Sequence, residues 1–169
     1  MADFVYLLPL VIFIGLGLWL VPKVNGGIDS AFNSIFRKGE KLKAEELTQK
    51  ALIFRTELPW AKIDSAVRLV LSKEEPPIMI RAGWRISDSD GESRTIAISF
   101  GNNIVSQFTS LLSVQESDGA SSVRYEVVSY LERNGLPSGL KQMEYLRDLV
   151  NSTICGIDSA VKVEVVESK

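Results

Sequence analysis

The 169-residue sequence contains no histidine and a single cysteine, Cys155. The first absence removes the side chain that most often serves as general base and metal ligand near neutral pH. The second excludes an intrachain disulfide framework and any site built from several thiolates of one chain. Basic residues are in short supply too: beyond residue 50, 13 Lys and Arg stand against 16 Asp and Glu. A mildly acidic balance without a basic face gives no footing for the phosphate contacts that dominate nucleic-acid affinity. No glycine-rich phosphate loop, nucleophile elbow or metal-spaced ligand cluster is present either. The expectation is a protein that is not an enzyme and carries no cofactor and no metal.

Charge is missing altogether from residues 4–21, FVYLLPLVIFIGLGLWLV. At about 1.5 Å per residue, a helix of this length is roughly 27 Å long, close to the hydrocarbon thickness of a bilayer. A soluble core helix would keep a polar face at 3.6-residue period, and none exists here. A cleaved export signal would want a basic start and a small-x-small exit. Only Asp3 carries a side-chain charge ahead of the run, and the run leaves through Leu-Val-Pro-Lys. Residues 1–23 therefore read as a single transmembrane anchor. No Lys or Arg precedes it, whereas Lys23, Arg37, Lys38, Lys41 and Lys43 follow. That asymmetry predicts an outside N-terminus, with the rest of the chain on the cytoplasmic (or stromal or matrix) side.

Residues 24–50 form a connector. Ile28, Phe32, Ile35 and Phe36 fall on one helical face, with Asn25 or Asp29 placed to cap it. Such a stretch either lies in the headgroup layer or packs on the folded domain or on a partner. Gly39 is expected to interrupt this helix, which residues 40–50 then resume.

From residue 51 to 169 the pattern becomes that of an α+β domain. ALIFRTEL is a short strand-like run, and Pro59 opens a helix whose apolar positions are Trp60, Ile63, Val67, Val70 and Leu71. Four alternating runs follow. Ile78, Ile80, Ala82, Trp84 and Ile86 share one parity, as do Ile96, Ile98 and Phe100. The same holds for Ile104, Phe108, Leu112 and Val114, and for Val123, Tyr125, Val127 and Leu131. Alternation with one polar face means an antiparallel sheet covered on one side. A last helix runs through Leu140, Met143, Leu146, Leu149, Val150 and Ile154, with Gly156 placed after its C-cap. VKVEVVE at the end alternates like one more strand.

The order β-α-β-β-β-β-α, with TELPWAKIDSAVRLVL leading into the meander and a long final helix, resembles the helix-grip fold of the START and polyketide-cyclase-like superfamily. The resemblance covers roughly residues 51–155 and rests on element order. It implies a sheet curled around the last helix, often enclosing an apolar ligand cavity; it assigns no residue, and the inward-facing Trp84, Phe100, Phe108 and Tyr125 are the candidates that a ligand binder would use. The short SKEEPPI connection and the extra terminal strand depart from that pattern. Ordinary core packing is the competing reading of the same four residues.

Other candidates read as structure. DSDGES begins like a calcium loop, but the twelfth position from Asp88 is Ser99, inside an apolar strand, so a hairpin turn fits better. Ile-Asp-Ser-Ala occurs three times, at Ile28, Ile63 and Ile157, without a fixed period. Cys155 sits near a helix C-terminus, where the dipole disfavours a thiolate. Glu45-Glu46 and Glu74-Glu75 read as solvated faces. Arg81 and Arg85, with Arg94 on the next strand, would share a polar sheet face.

These features together predict an accessory or assembly subunit of a larger membrane complex. Its contacts with bilayer or with an integral membrane partner would be Phe4, Leu8, Ile12, Gly15, Gly17 and Trp19 on the span. Ile28, Phe32, Ile35 and Phe36 would continue them on the connector. Gly15 and Gly17 allow close helix approach. The alternative is a membrane-tethered binder of a lipid or another hydrophobic ligand.

Overall fold

The computed structural model describes residues 38–168, apart from 77, 89–93 and 118–119. The anchor, most of the connector, and contact residues Phe4 through Phe36 lie outside the described residues, as does most of DSDGES. Among the described residues no helix is long and apolar enough to cross a membrane.

Leu42–Lys169 forms one compact unit. Helix α1 spans residues 38–49 and runs straight into strand β1, Lys50–Thr56. Gly39, expected to interrupt the helix, lies inside α1 one residue after its first described position, and a side chain there would meet no neighbour. Ala44 and Leu47 are buried, so the last residues of the expected connector pack as part of the domain. Helix α2, Trp60–Leu71, follows with Pro59 at its N-cap and buries Ile63, Val67 and Leu71. The meander is β2 (Gly83–Asp88), β3 (Thr95–Gly101), β4 (Ser106–Ser117) and β5 (Ala120–Tyr130). A small hairpin, β6 (Glu132–Arg133) and β7 (Leu136–Pro137), leads into α3, Leu140–Ile157, and β8, Lys162–Glu167, closes the chain.

The six-stranded sheet has the order β2-β3-β4-β5-β1-β8, and every neighbouring pair is antiparallel. The fold is α+β, a six-stranded antiparallel sheet with three helices. Register explains which face is buried. Leu52 stands opposite Tyr125 and Phe54 opposite Val123, while Leu112 pairs with Tyr125 and Ile96 with Leu112. These residues form one apolar stripe across four strands, and Ile63, Val67, Met143, Leu146, Val150 and Ile154 from α2 and α3 belong to the same core. Full burial of each such side chain stabilises the fold by about 1.5–3 kcal/mol before entropy is counted.

Three expectations are corrected. β2 starts at Gly83, so Ile78, Met79 and Ile80 are exposed loop residues; Ile80 is 94% exposed. The parity of the run continued through them, but the chain turns there, with the Ile78 amide donating to the Arg81 carbonyl at 3.1 Å. Likewise β4 starts at Ser106, which leaves Ile104 exposed in a turn, and Leu131 lies beyond the end of β5. Gly156 sits inside α3, whose C-cap is Asp158. Asn134-Gly135 has positive φ at both residues, 56° and 78°, and makes the β6–β7 turn. VKVEVVE is β8, pairing with β1 from Lys50–Glu167 to Arg55–Lys162.

Candidate functional site

The helices cover one side of the sheet, and the other side carries a polar surface. Arg124 and Glu126 project from β5 with parity opposite to Val123, Tyr125 and Val127. An Arg124 guanidinium N–H donates to Glu126 at 2.8 Å, and the Ser168 hydroxyl donates to the same carboxylate oxygen at 2.5 Å. Nearby on β3 and β4, the Ser99 and Thr109 hydroxyls are 2.9 Å apart. A cleft of about 370 Å³ opens on this surface, lined by Ile53, Ser113, Gln115, Ser122, Arg124 and Glu126.

The charges in the cleft are set for holding rather than for transferring protons. The Arg124 hydrogen bond holds the Glu126 carboxyl below its ordinary range, against an opposing contribution from burial; the Ser168 hydrogen bond adds to the lowering. Arg124 is raised in turn, chiefly by the same hydrogen bond. Near neutral pH the pair is therefore a fixed dipole flanked by hydroxyls, suited to hydrogen-bonding recognition.

The predicted aromatic set is only partly one group. Trp84, Phe100 and Phe108 meet with ring centroids 4.8 Å (Trp84–Phe100), 5.9 Å (Phe100–Phe108) and 6.0 Å (Trp84–Phe108) apart. Tyr145 of α3 joins at 6.2 Å from Trp84, a neighbour that helix periodicity on its own did not suggest. Its hydroxyl donates to Glu74 at 2.8 Å, tying α3 to the segment after α2. Tyr125 stands apart, buried, with its hydroxyl donating to Ser110 at 3.2 Å. Burial pushes its pKa up to about 12, while the Ser110 hydrogen bond works in the opposite direction. Phe108 and Tyr125 belong to the core together with Met143, Leu146 and Val150.

A second cleft, of about 330 Å³, lies beyond the end of β1 and is lined by Arg55, Thr56, Glu57, Asp158, Ala160 and Lys162. Thr56 donates to Asp158 at 2.5 Å and Arg55 pairs with Glu164 at 3.1 Å. The Thr56 hydrogen bond, seconded by the Ala160 amide, keeps Asp158 below the usual carboxylate range. The arginines expected to share a face do not. Arg81 lies ahead of β2 and pairs with Glu75, whereas Arg85 donates to the Asn102 carbonyl at 2.9 Å. Cys155 is half-buried, 3.7 Å from Asn151 Oδ1 on its own helix. Among the described residues no cluster of three or more Cys, Asp or Glu is placed to hold a metal ion.

Arg124 and Glu126 were not singled out by sequence reasoning, although the parity of VRYEVV already put both on the polar face. What was not legible was Ser168, brought onto Glu126 from 42 residues away by β8 pairing with β1. No family model matches this chain, and no curated protein matches it.

Proposed function

We propose that the chain is a non-catalytic, single-span membrane protein, an accessory or assembly subunit whose α+β domain sits on the cytoplasmic side and docks a partner. The observation that carries this reading is the polar sheet face, where Arg124 and Glu126 neutralise each other in a cleft with Ser113, Gln115 and Ser122. A self-satisfied polar surface recognises a partner at little desolvation cost, and its charges are locked away from proton transfer. The uncharged residues 4–21 supply the tether. Purification of the tagged full chain in mild detergent should bring down an integral membrane protein in stoichiometric amount, and Ser122→Arg on the sheet face should release it. Recovery of monomer alone would refute the reading.

A second reading is a helix-grip domain that takes a lipid or another hydrophobic ligand. It is supported by the strand order, in which β1 pairs with the last strand of the meander while α3 crosses the apolar face. Against it, Phe108 and Tyr125 are already packed under α3, with 1% and 2% of their surface exposed. Native mass spectrometry of the detergent-purified chain distinguishes the two, since a ligand binder retains a bound lipid.

A further inference from the structure

One end of the sheet displays apolar residues that the fold leaves uncovered. Gly83 pairs with Gly101, so the loop ahead of β2 and the turn after β3 emerge side by side. The first exposes Ile78, Met79 and Ile80, and the second exposes Ile104 and Val105, with Ile104 71% exposed. Apolar residues scattered singly on a surface need no explanation, whereas two adjacent loop tips made of them do.

The turn carrying Ile104 and Val105 is held by hydrogen bonds from within. The Asn102 side-chain oxygen accepts from the Ile104 amide at 2.9 Å and from the Val105 amide at 2.8 Å. The Asn102 amide donates to the Val105 carbonyl at 3.1 Å. Gly101 is required for this closure, because a Cβ there would stand 2.2 Å from the Val105 carbonyl oxygen. A tip that meets the bilayer thus carries four backbone groups already paired, the Asn102, Ile104 and Val105 amides and the Val105 carbonyl.

The chain also enters the domain at this end. α3 starts here, since Gly139 lies against Gln107 and Phe108 at the beginning of β4. Its far end reaches Asp158, bonded to Thr56 at the opposite end of β1. Lys43 pairs with Glu144 and Glu46 with Arg147, so α1 runs in the same direction as α3. Leu42, the exposed first residue of the compact unit, is thus at the end that carries the apolar tips. The chain preceding it holds the uncharged residues 4–21.

We propose that the 78–80 and 104–105 tips insert into the same bilayer leaflet that the N-terminal segment enters, so that the domain stands on the membrane by this end. The inference rests on the anchor reading. Tethering makes the insertion intramolecular, so two small apolar tips suffice where a free domain would need more. On this placement Arg85 of β2, exposed behind the tips, faces the headgroup layer, whereas Arg81 is already paired with Glu75.

The test uses the full chain in a Cys155→Ser background, reconstituted into phosphatidylcholine–phosphatidylglycerol vesicles. An environment-sensitive fluorophore is placed in turn at Ile80→Cys, Ile104→Cys and, at the opposite end, Glu57→Cys. Brominated acyl chains should quench the first two several-fold more than the third, and aqueous iodide should show the reverse order. Flotation with the vesicles and resistance to carbonate extraction report the anchor separately. A chain that floats but shows equal quenching at all three positions overturns tip insertion and leaves the anchor intact. A chain that does not float overturns the anchor. Tips shielded from iodide in native membranes yet exposed in lipid-only vesicles would mean that a protein covers them, and that also overturns the proposal.

Discussion

Tyr125→Phe tests the packing of the inner face with two opposed effects on one stability curve. The Tyr125 ring is 2% exposed and its hydroxyl donates to Ser110, which is itself fully buried. Removing the hydroxyl near neutral pH deletes that bond and leaves Ser110 poorly satisfied, a loss of about 1 kcal/mol. At high pH the sign reverses. Burial raises the folded-state pKa from the ordinary value of 10.0 to about 12, so the fold favours neutral tyrosine. This stabilisation is fully present below pH ~10 and is lost as pH rises toward the folded value. Each unit of displacement corresponds to about 1.4 kcal/mol, so the wild type forfeits up to about 2.7 kcal/mol from this residue, roughly half of it by pH ~11. Phenylalanine cannot ionise and escapes that loss. Urea unfolding of the full chain in mild non-ionic detergent, followed by near-UV circular dichroism between neutrality and pH ~12, should show the two curves crossing near pH ~11. Contributions from the rest of the chain are common to both proteins and cancel in the difference. A difference that stays flat across the range would refute the burial of Tyr125 and, with it, the seating of α3 on β5.

Three further outcomes follow from separate parts of the fold. Leu47→Ala should cost about 2–5 kcal/mol in the same unfolding assay, because Leu47 of α1 is in the core; a cost near zero would return α1 to the connector. Gly101→Ala should cost about 1–3 kcal/mol, because both atoms a Cβ would crowd, the Val105 carbonyl oxygen and Ser106 Cα, are backbone that cannot swing aside. Glu126 has a depressed folded-state pKa, so its contribution is present above the ordinary carboxylate range and is lost as pH falls through the folded value. Stability measured down the acid limb should therefore fall less steeply in Glu126→Gln than in the wild type, and parallel acid limbs would contradict the ion pair.

Period-two reading worked wherever a strand is long and covered on one side. Val123, Tyr125 and Val127 face the core while Arg124 and Glu126 face away, as the alternation of VRYEVV requires. It failed at Ile78–Ile80 and at Ile104, where parity ran on past the end of hydrogen bonding. Pattern alone does not register that Gly101 closes a tight turn, because the constraint is a 2.2 Å approach between backbone atoms. α1 was hard to place because only Ala44 and Leu47 face the core, too few to mark a stripe. The polar sheet face was half legible: its β5 members follow from parity, but Ser168 arrives through the β1–β8 pairing, a long-range contact that no local pattern encodes. The two apolar tips, misread as strand, are the residues on which the membrane-facing proposal now rests.

The account centres on a domain held on the cytoplasmic side of a membrane by residues 4–21. Maleimide labelling of an exposed cysteine tests this most directly. Ser65→Cys, on the exposed side of α2, is introduced with Cys155→Ser and probed in sealed right-side-out and inside-out vesicles, with carbonate extraction done on a separate portion. The account predicts a chain that stays in the membrane pellet and labels only in inside-out vesicles. Labelling in intact right-side-out vesicles, or release of the chain by carbonate, would contradict it.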